Sequence, residues 1–330
     1  MRKRNRKIAC VVTGAAGFVG SHLAERLLSE NYFVLGVDNF FSGRKENLAA
    51  LWEHPDFSFH ERSVTEAGLL GDLKARYPDL ECCFHLAAIV SVPYSVEHPE
   101  TTMEVNWQAA VNLLREAEHL EFGAFVFAGS SAEYGDEQRL PLKEGYATAH
   151  TRHLSAYGRS KYLASRDVTA SRCGLALRCF NIYGPRQDPT SPYSGVISRF
   201  VAMALKQRPL TIFGDGLQTR DFIYISDVVE AYLHAASLCE KTTGGDKNPY
   251  NIGTGKSTSV LELAETINGL MENHAGLAIC PERPGDIRFS VGSVDAFRTA
   301  AGWEPRVSLR EGLRQTIAWA RASQESSSES

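Results

Sequence analysis

The sequence predicts an α/β fold, a doubly wound parallel sheet joined to a smaller, discontinuous α/β lobe. Three observations carry this. Short apolar runs recur at residues 8–12, 32–37, 57–60, 82–88 and 125–128, and again at 175–179; most lack polar alternation, which suits strands buried on both faces. The first run ends in a glycine turn, Thr13-Gly14-Ala15-Ala16-Gly17-Phe18-Val19-Gly20, and helical spacing follows from Ser21 to Leu28. That is the strand, turn and helix order of a dinucleotide-binding unit. Finally, 330 residues with 43% apolar content suffice for a large core in one bilobal unit or two domains. We expect a dinucleotide-binding part over residues 1–178, rejoined by a strand near 250–253, and a second lobe over 179–330.

Composition narrows the function classes. A formal net charge of -4 gives no case for nucleic acid. The basic start, residues 2–7, reads as a solvated arm, because a strand and glycine turn follow it in place of an apolar signal segment. No apolar run approaches membrane-spanning length. The 7 cysteines are scattered, include the adjacent Cys82 and Cys83, and lack zinc-site spacing. They read as buried thiols in a reducing cytoplasm, with no metal site. Residues 324–330 are polar and Ser-rich and read as a disordered tail.

Taken in order, the glycine turn after the first strand brings backbone N–H groups close to a pyrophosphate at a helix N-terminus. The second strand ends at Asp38-Asn39, with Asp38 18 residues after Gly20. A carboxylate there accepts hydrogen bonds from the adenosine ribose hydroxyls and repels a 2′-phosphate, favouring NAD over NADP. Arg44 and Lys45 follow and could soften that repulsion. The strand at 82–88 ends in the small residues Ala87 and Ala88, against which a flat ring can lie; His85 within it reads as a packed histidine. Asn106 falls in a helical segment although Asn is a poor helix former, which hints at a role for its side chain.

The run at 125–128 leads into Gly129-Ser130-Ser131-Ala132-Glu133-Tyr134-Gly135, placing Ser130 and Ser131 where ligands of open α/β sheets sit, beyond the strand's carboxyl end. Turn serines satisfying their own backbone are the alternative. Tyr157 and Lys161 are four apart and share a helix face. An ammonium held beside a phenol favours the phenolate, so the pair reads either as a base or as a solvated surface couple.

The glycine turn at Gly14, Gly17 and Gly20, then Ser130, then Tyr157-x-x-x-Lys161, resembles the extended short-chain dehydrogenase/reductases. More narrowly, the chain resembles their NAD-dependent nucleotide-sugar 4-epimerases, of the UDP-glucose and UDP-N-acetylglucosamine type, from about Ile8 to Ala320. The resemblance implies a Rossmann-type sheet, bound NAD, a UDP-sugar substrate and a cytoplasmic homodimer joined through helices near residues 101–120 and 156–171. It implies cofactor contacts from Gly14, Gly17, Phe18, Val19, Gly20, Asp38, Asn39, Ser42, Gly43, Ser63, Val64, Leu86, Ala87, Ala88, Asn106 and Phe180, together with Tyr157 and Lys161. On the substrate side it implies Ser91, Ser130, Ser131, Tyr157 and Asn181, the wall at Gly195 and Val196, and the uracil-reading strand at Thr211 and Phe213. Arg220 and Arg283 would bind the diphosphate, Asp286 the uridine ribose, and Ser290 would border the C2 substituent.

In the chemistry so implied, Tyr157 removes the proton of the sugar 4-OH as hydride leaves C4, Ser130 hydrogen-bonds the reacting oxygen, and Lys161 holds the nicotinamide ribose. The 4-keto sugar turns over and takes the hydride back on its other face, so NAD acts catalytically. Related 4,6-dehydratases carry Asp and Glu, and decarboxylases a Glu, where this chain has Ser131 and Ala132. Glu133 lies one residue later and is not assumed equivalent. UDP-glucuronate is the alternative epimerase substrate, because Gly184-Pro185-Arg186 also occurs in relatives acting on it. A non-catalytic NAD-binding protein fits poorly with Ser130, Tyr157 and Lys161 all being present. Many relatives have Tyr in place of Cys179, so no nicotinamide contact is assigned there.

Overall fold

Alternation along the first strand sets the architecture. In β1 (Ala9–Thr13), Cys10 and Val12 enter one apolar core while Ala9 and Val11 enter another, so the sheet is covered on both faces. The computed structural model describes residues 7–189, 195–241, 248–282 and 286–328. From β1 the chain runs through α1 (Phe18–Ser29), β2 (Phe33–Asp38), β3 (Phe57–Glu61), α2 (Leu69–Arg76) and β4 (Leu80–His85). Short helices α3 (Val92–Glu97) and α4 (Pro99–Met103) lead to α5 (Ala109–His119), β5 (Ala124–Ser130), α6 (Ala156–Ala170) and β6 (Gly174–Cys179). The second half contains β7 (Asn181–Tyr183), α7 (Val196–Leu205), β8 (Leu210–Phe213), β9 (Thr219–Arg220), β10 (Phe222–Tyr224) and α8 (Ile225–Lys241). It closes with β11 (Tyr250–Ile252), β12 (Thr258–Ser259), α9 (Val260–Met271), β13 (Leu277–Cys280), α10 (Asp295–Ala301) and α11 (Leu309–Ser328).

Seven strands form the main sheet in the order β11-β6-β5-β4-β1-β2-β3, every pairing parallel. Leu23 and Leu27 of α1 and Val228 and Ala231 of α8 pack on one face. Leu70 of α2, Leu113 of α5 and Val168 of α6 pack on the other. This is the Rossmann-type doubly wound sheet that the apolar runs predict. The strand order reverses beside β1, and the crevice for a ligand opens there, at the strands' carboxyl ends. β11 returns late in the chain to pair with β6, as the reading of residues 250–253 expects.

The remaining strands make three two-stranded units, β10 with β7, β12 with β9 and β13 with β8. The core on the α1 and α8 face continues into them through Phe200 of α7, Leu263 of α9 and Leu313 of α11.

Two elements differ from expectation. The segment read as a disordered tail is helical as far as Ser328; Gln324 and Glu325 are exposed, so the helix continues there without burying apolar surface. The strand read over 82–88 stops at His85, and Leu86, Ala87 and Ala88 leave the ladder to line the crevice. The N–H groups of Leu86 and Ala87 both donate to the Thr13 hydroxyl, at 3.1 and 3.2 Å, and the Leu86 N–H also reaches the Thr13 carbonyl oxygen at 3.2 Å.

Candidate active site

A cavity of about 820 Å³ runs along the carboxyl ends of β1, β2 and β4. Its walls include Gly14, Gly17, Phe18, Val19, Gly20, Asp38, Asn39, Ser42, Gly43, Ser63, Val64, Leu86, Ala87 and Ala88, all expected to hold the cofactor. At two of its glycines the turn has no space for a side chain. Gly14 sits at φ 71°, and a Cβ there would lie 2.8 Å from the Ala87 nitrogen; one on Gly20 would lie 2.0 Å from the Gly14 carbonyl oxygen.

At the other end, Asp38 is 8% exposed and held by the glycine turn and by its own loop. Its Oδ2 accepts from the Ala16 N–H at 3.0 Å and its Oδ1 from the Phe40 N–H at 2.7 Å. Burial pushes the carboxyl up, and these N–H bonds oppose the shift. The two cations expected to soften its charge are engaged elsewhere. Arg44 pairs with Asp188, and the Lys45 ammonium lies 5.2 Å from the Phe40 ring centroid. A long crevice with backbone donors at a helix N-terminus and a fixed carboxylate at its end fits a dinucleotide bearing a free ribose 2′-hydroxyl.

The three expected catalytic side chains converge where β5 and β6 end. Ser130 is the last residue of β5, and its Oγ accepts from the Ala132 N–H at 3.2 Å. Ser155 caps α6 by accepting from the Gly158 N–H at 3.2 Å, so Tyr157 sits in the first helical turn. Gly158 allows close approach: a Cβ there would be 2.6 Å from the Ala132 carbonyl oxygen. Burial pushes the Tyr157 phenol up to about 12, and the Ser130 side chain opposes that shift. Lys161 is 2% exposed, donates to the Ala128 carbonyl oxygen at 2.8 Å, and lies 4.7 Å from the Phe127 ring centroid. Burial brings it down to about 8.

The simple picture of an ammonium lowering a neighbouring phenol therefore needs correcting. In the protein alone desolvation dominates both groups, and Ser130 is the partner that pulls the Tyr157 phenol down.

Four residues expected to touch the cofactor are not among the cavity's walls: Tyr157 and Lys161, described above, and Asn106 and Phe180. Asn106 is fully buried in a π-helical turn, Glu104–Gln108. Its Oδ1 accepts from the Ile89 N–H at 2.8 Å; its Nδ2 donates to the Ile89 carbonyl at 2.9 Å and to Ser160 Oγ at 3.2 Å. It bolts a cavity wall to α6. Phe180, 4% exposed, packs with Tyr134 and Leu142 rather than lining the cavity. His85 is packed, as expected: it is fully buried, bonded to Thr13 Oγ1 through Nδ1 at 2.7 Å, and lowered to about 3 by burial.

Of the residues expected to hold the substrate, the Ser91 hydroxyl caps α3 by accepting from the Tyr94 N–H at 2.9 Å. Ser131 opens the short helical turn that follows β5. Asn181 donates to the Asp221 carbonyl oxygen at 3.2 Å. Gly195 and Val196 begin α7, and Thr211 and Phe213 lie half-buried on β8. Arg220 pairs with Asp286 at 2.5 Å, which joins two residues expected to hold different parts of the substrate. Ser290 is 6% exposed, and its N–H donates to the Thr219 carbonyl at 3.1 Å. Arg283 and the loop at 191–194 lie outside the described residues. Arg186 lines the cofactor cavity and pairs with Glu25 of α1 at 2.5 Å.

Sequence reasoning missed a buried polar layer beneath the site. Glu133 and Arg178 form an ion pair at 2.5 Å with side chains 0% and 3% exposed. Asp221, fully buried, accepts from Thr254 N–H and Oγ1 at 2.7 and 2.6 Å. Only the charged residue types inside apolar surroundings could have signalled them. Among the described residues, no His, Cys, Asp and Glu group could hold a metal, and no helix is long and apolar enough to cross a membrane.

Comparison with known proteins gives consistent matches. The model of the NAD dependent epimerase/dehydratase family matches residues 10–253. The chain is 34% identical over 315 residues to a putative UDP-glucose 4-epimerase of Methanocaldococcus jannaschii, covering 94% of this chain and 97% of that one. It is 33% identical to UDP-glucuronic acid decarboxylase 1 of Arabidopsis thaliana over 320 residues, 94% of this chain and 69% of that protein. Its fold superposes on the crystal structure of a Thermotoga maritima UDP-glucose 4-epimerase with UDP-glucose, with a TM-score of 0.86 and 32% identity, covering 96% of this chain and 100% of that chain.

Proposed function

The chain belongs to the NAD dependent epimerase/dehydratase family, and from that premise we propose that it interconverts UDP-sugars epimeric at C4. One observation carries the choice among the family's reactions. Ser130, Tyr157 and Lys161 meet at the ends of β5 and β6, and the carboxylate next to them in sequence, Glu133, is fully engaged by Arg178, Ser165 and the Ser130 N–H. A dehydratase or decarboxylase needs a further acid or base free to move protons, and Ala132 stands where such relatives carry one.

The cavity residues from Gly14 to Ala88 would hold NAD, which supplies reversible hydride acceptance when bound. The chain's own residues do the rest. Tyr157 takes the proton from the sugar 4-hydroxyl and later returns it, and Ser130 donates to the reacting oxygen. Lys161, buried and lowered to about 8, keeps a positive charge at neutral pH, while Ser130 is the group that draws the Tyr157 phenol down. Arg220, with Asp286 beside it, faces the diphosphate and ribose of the nucleotide. Ser290 contributes a small side chain at the C2 substituent, so UDP-N-acetylglucosamine and UDP-N-acetylgalactosamine belong to the substrate range with UDP-glucose and UDP-galactose. Assembly as a homodimer through α5 and α6 belongs to the same reading, and sedimentation of the NAD-loaded protein tests it.

The decisive experiment incubates purified protein, without added cofactor, with UDP-glucose, UDP-N-acetylglucosamine and UDP-glucuronate separately. Interconversion of either of the first two pairs is expected; release of carbon dioxide from UDP-glucuronate, or loss of water from any sugar, would reject the assignment. Ser290→Tyr is expected to reduce turnover of the N-acetylated pair first, and equal loss on both pairs counts against Ser290 as the C2 gate.

A further inference from the structure

Resting on that reading, we propose that the Glu133–Arg178 ion pair is the positioning unit of the proton-transfer site, fixing Ser130 against Tyr157 and holding a negative charge beside Tyr157 and Lys161. Glu133 reaches three elements at once. Its Oε1 accepts from the Ser130 N–H at 2.9 Å and from Ser165 Oγ of α6 at 2.8 Å; its Oε2 accepts from Arg178 Nε of β6 at 2.5 Å. Ser165 is four residues after Lys161, on the same helix face. The Ser130 hydroxyl oxygen accepts from the Ala132 N–H, closing a reciprocal cap around the turn that presents it. Arg178 in turn donates Nη1 to the Glu144 carbonyl at 2.7 Å and lies 5.2 Å from the Tyr134 ring centroid.

Stability alone does not account for this pair. Removing two charges from water costs more than their attraction reliably returns, and apolar side chains of similar volume hold a core as well. Geometry at the reacting hydroxyl is what a Glu specifically supplies here, because it can accept from the Ser130 N–H, Ser165 and Arg178 together. The charge also reaches the proton-transfer groups. Glu133 raises both the Tyr157 phenol and the Lys161 ammonium, and Cys179 is the other acidic group acting on both. Arg178 is neutralised by Glu133, and His85, across from Lys161, stays uncharged. The sign follows: deleting the Glu133 charge lowers both groups, so both limbs of the pH profile move to lower pH.

The test uses Glu133→Gln and Ser165→Ala in NAD-loaded protein. The Tyr157 phenolate titration, isolated as the absorbance difference against Tyr157→Phe, is expected to move down by about one pH unit in Glu133→Gln. Its kcat on the accepted UDP-sugar is expected to fall roughly tenfold with KM little changed, as for a group acting only in proton transfer. A folded, NAD-loaded Glu133→Gln with the parent's titration and kcat overturns the proposal. Should that variant fail to load NAD, Ser165→Ala decides: it removes only the α6 tether, a several-fold fall in kcat at unchanged KM is expected, and the parent's kcat overturns the proposal. The titration needs no sugar, so a protein that epimerises nothing leaves it readable and overturns only the activity assigned above.

Discussion

Burial moves Lys161 and Tyr157 in opposite directions, and the two shifts act on stability in separate pH windows. Lys161 is held down to about 8, whereas an unfolded lysine titrates near 10.4. Between these values the unfolded chain binds a proton that the folded chain has released, so stability rises with pH across that window. Tyr157, pushed up to about 12, keeps its proton when an unfolded tyrosine has lost it, so its contribution falls from about pH 10 upward. Lys161→Met should therefore be more stable than the parent at pH 7, by roughly 2 kcal/mol after the lost bond to Ala128 is counted, with the gap closing towards pH 10. Urea unfolding at both pH values measures this, and an equal gap at both would show that Lys161 carries no desolvation cost. Tyr157→Phe should keep the NAD content of the parent and lose at least about 10²-fold in turnover; retained epimerisation would remove Tyr157 as the base.

At this scale the sequence was informative where spacing carries chemistry. The positions of Ser130 at a strand end and of Tyr157 and Lys161 on one helix face follow from local pattern, whereas the roles proposed for them rest on the family resemblance. Asn106 and Phe180 lie outside the cavity's walls, and whether a side chain lines a cavity or backs its wall depends on tertiary packing that local pattern does not carry. The role of Glu133 was invisible because its ion-pair partner, Arg178, is 45 positions away in the chain.

Among the elements, the strand–turn–helix unit of β1 and α1 is the most constrained. Because the Gly20 Cβ position lies 2.0 Å from a backbone oxygen, no side-chain rotation relieves the clash in Gly20→Ala, and α1 must shift. Overpacking of this kind costs typically 1–3 kcal/mol, and here it displaces the N–H groups that face the cavity. Gly20→Ala should therefore fold with a lowered unfolding midpoint and purify with little bound nucleotide. Absorbance of the acid-released cofactor reads this, and a full NAD complement would show that the turn tolerates a side chain. The parallel strands were legible because burial on both faces makes their runs apolar. The end of β4 was not, since Leu86 and Ala87 are apolar but their N–H groups converge on the Thr13 side chain at the end of β1, where the ladder stops. The π-helical turn at Asn106 likewise depends on a tertiary contact, the backbone of Ile89.

Across the whole molecule, the cofactor crevice and the smaller lobe share one continuous core, and Asp221 is a polar tie between them. It follows Arg220, and its side chain accepts from Thr254 and from the Gly255 N–H at 3.0 Å, while its backbone carbonyl receives the Asn181 N–H at 2.9 Å. β7, the loop after β11 and the residues proposed to hold the nucleotide are thus fixed to one another through a fully buried carboxylate. An amide in its place has one acceptor oxygen instead of two, leaving a buried N–H facing another donor, at a cost of about 1–3 kcal/mol. The cofactor cavity does not contain Asp221, so its loss should leave NAD binding intact while loosening the grip on the UDP moiety. Asp221→Asn is expected to retain its NAD content, unfold at a lower midpoint and show KM for the UDP-sugar raised several-fold, with kcat changed less. Parallel loss of NAD would instead place Asp221 in the stability of the whole sheet, and an unchanged KM would mean that the nucleotide-binding segments keep their places without it.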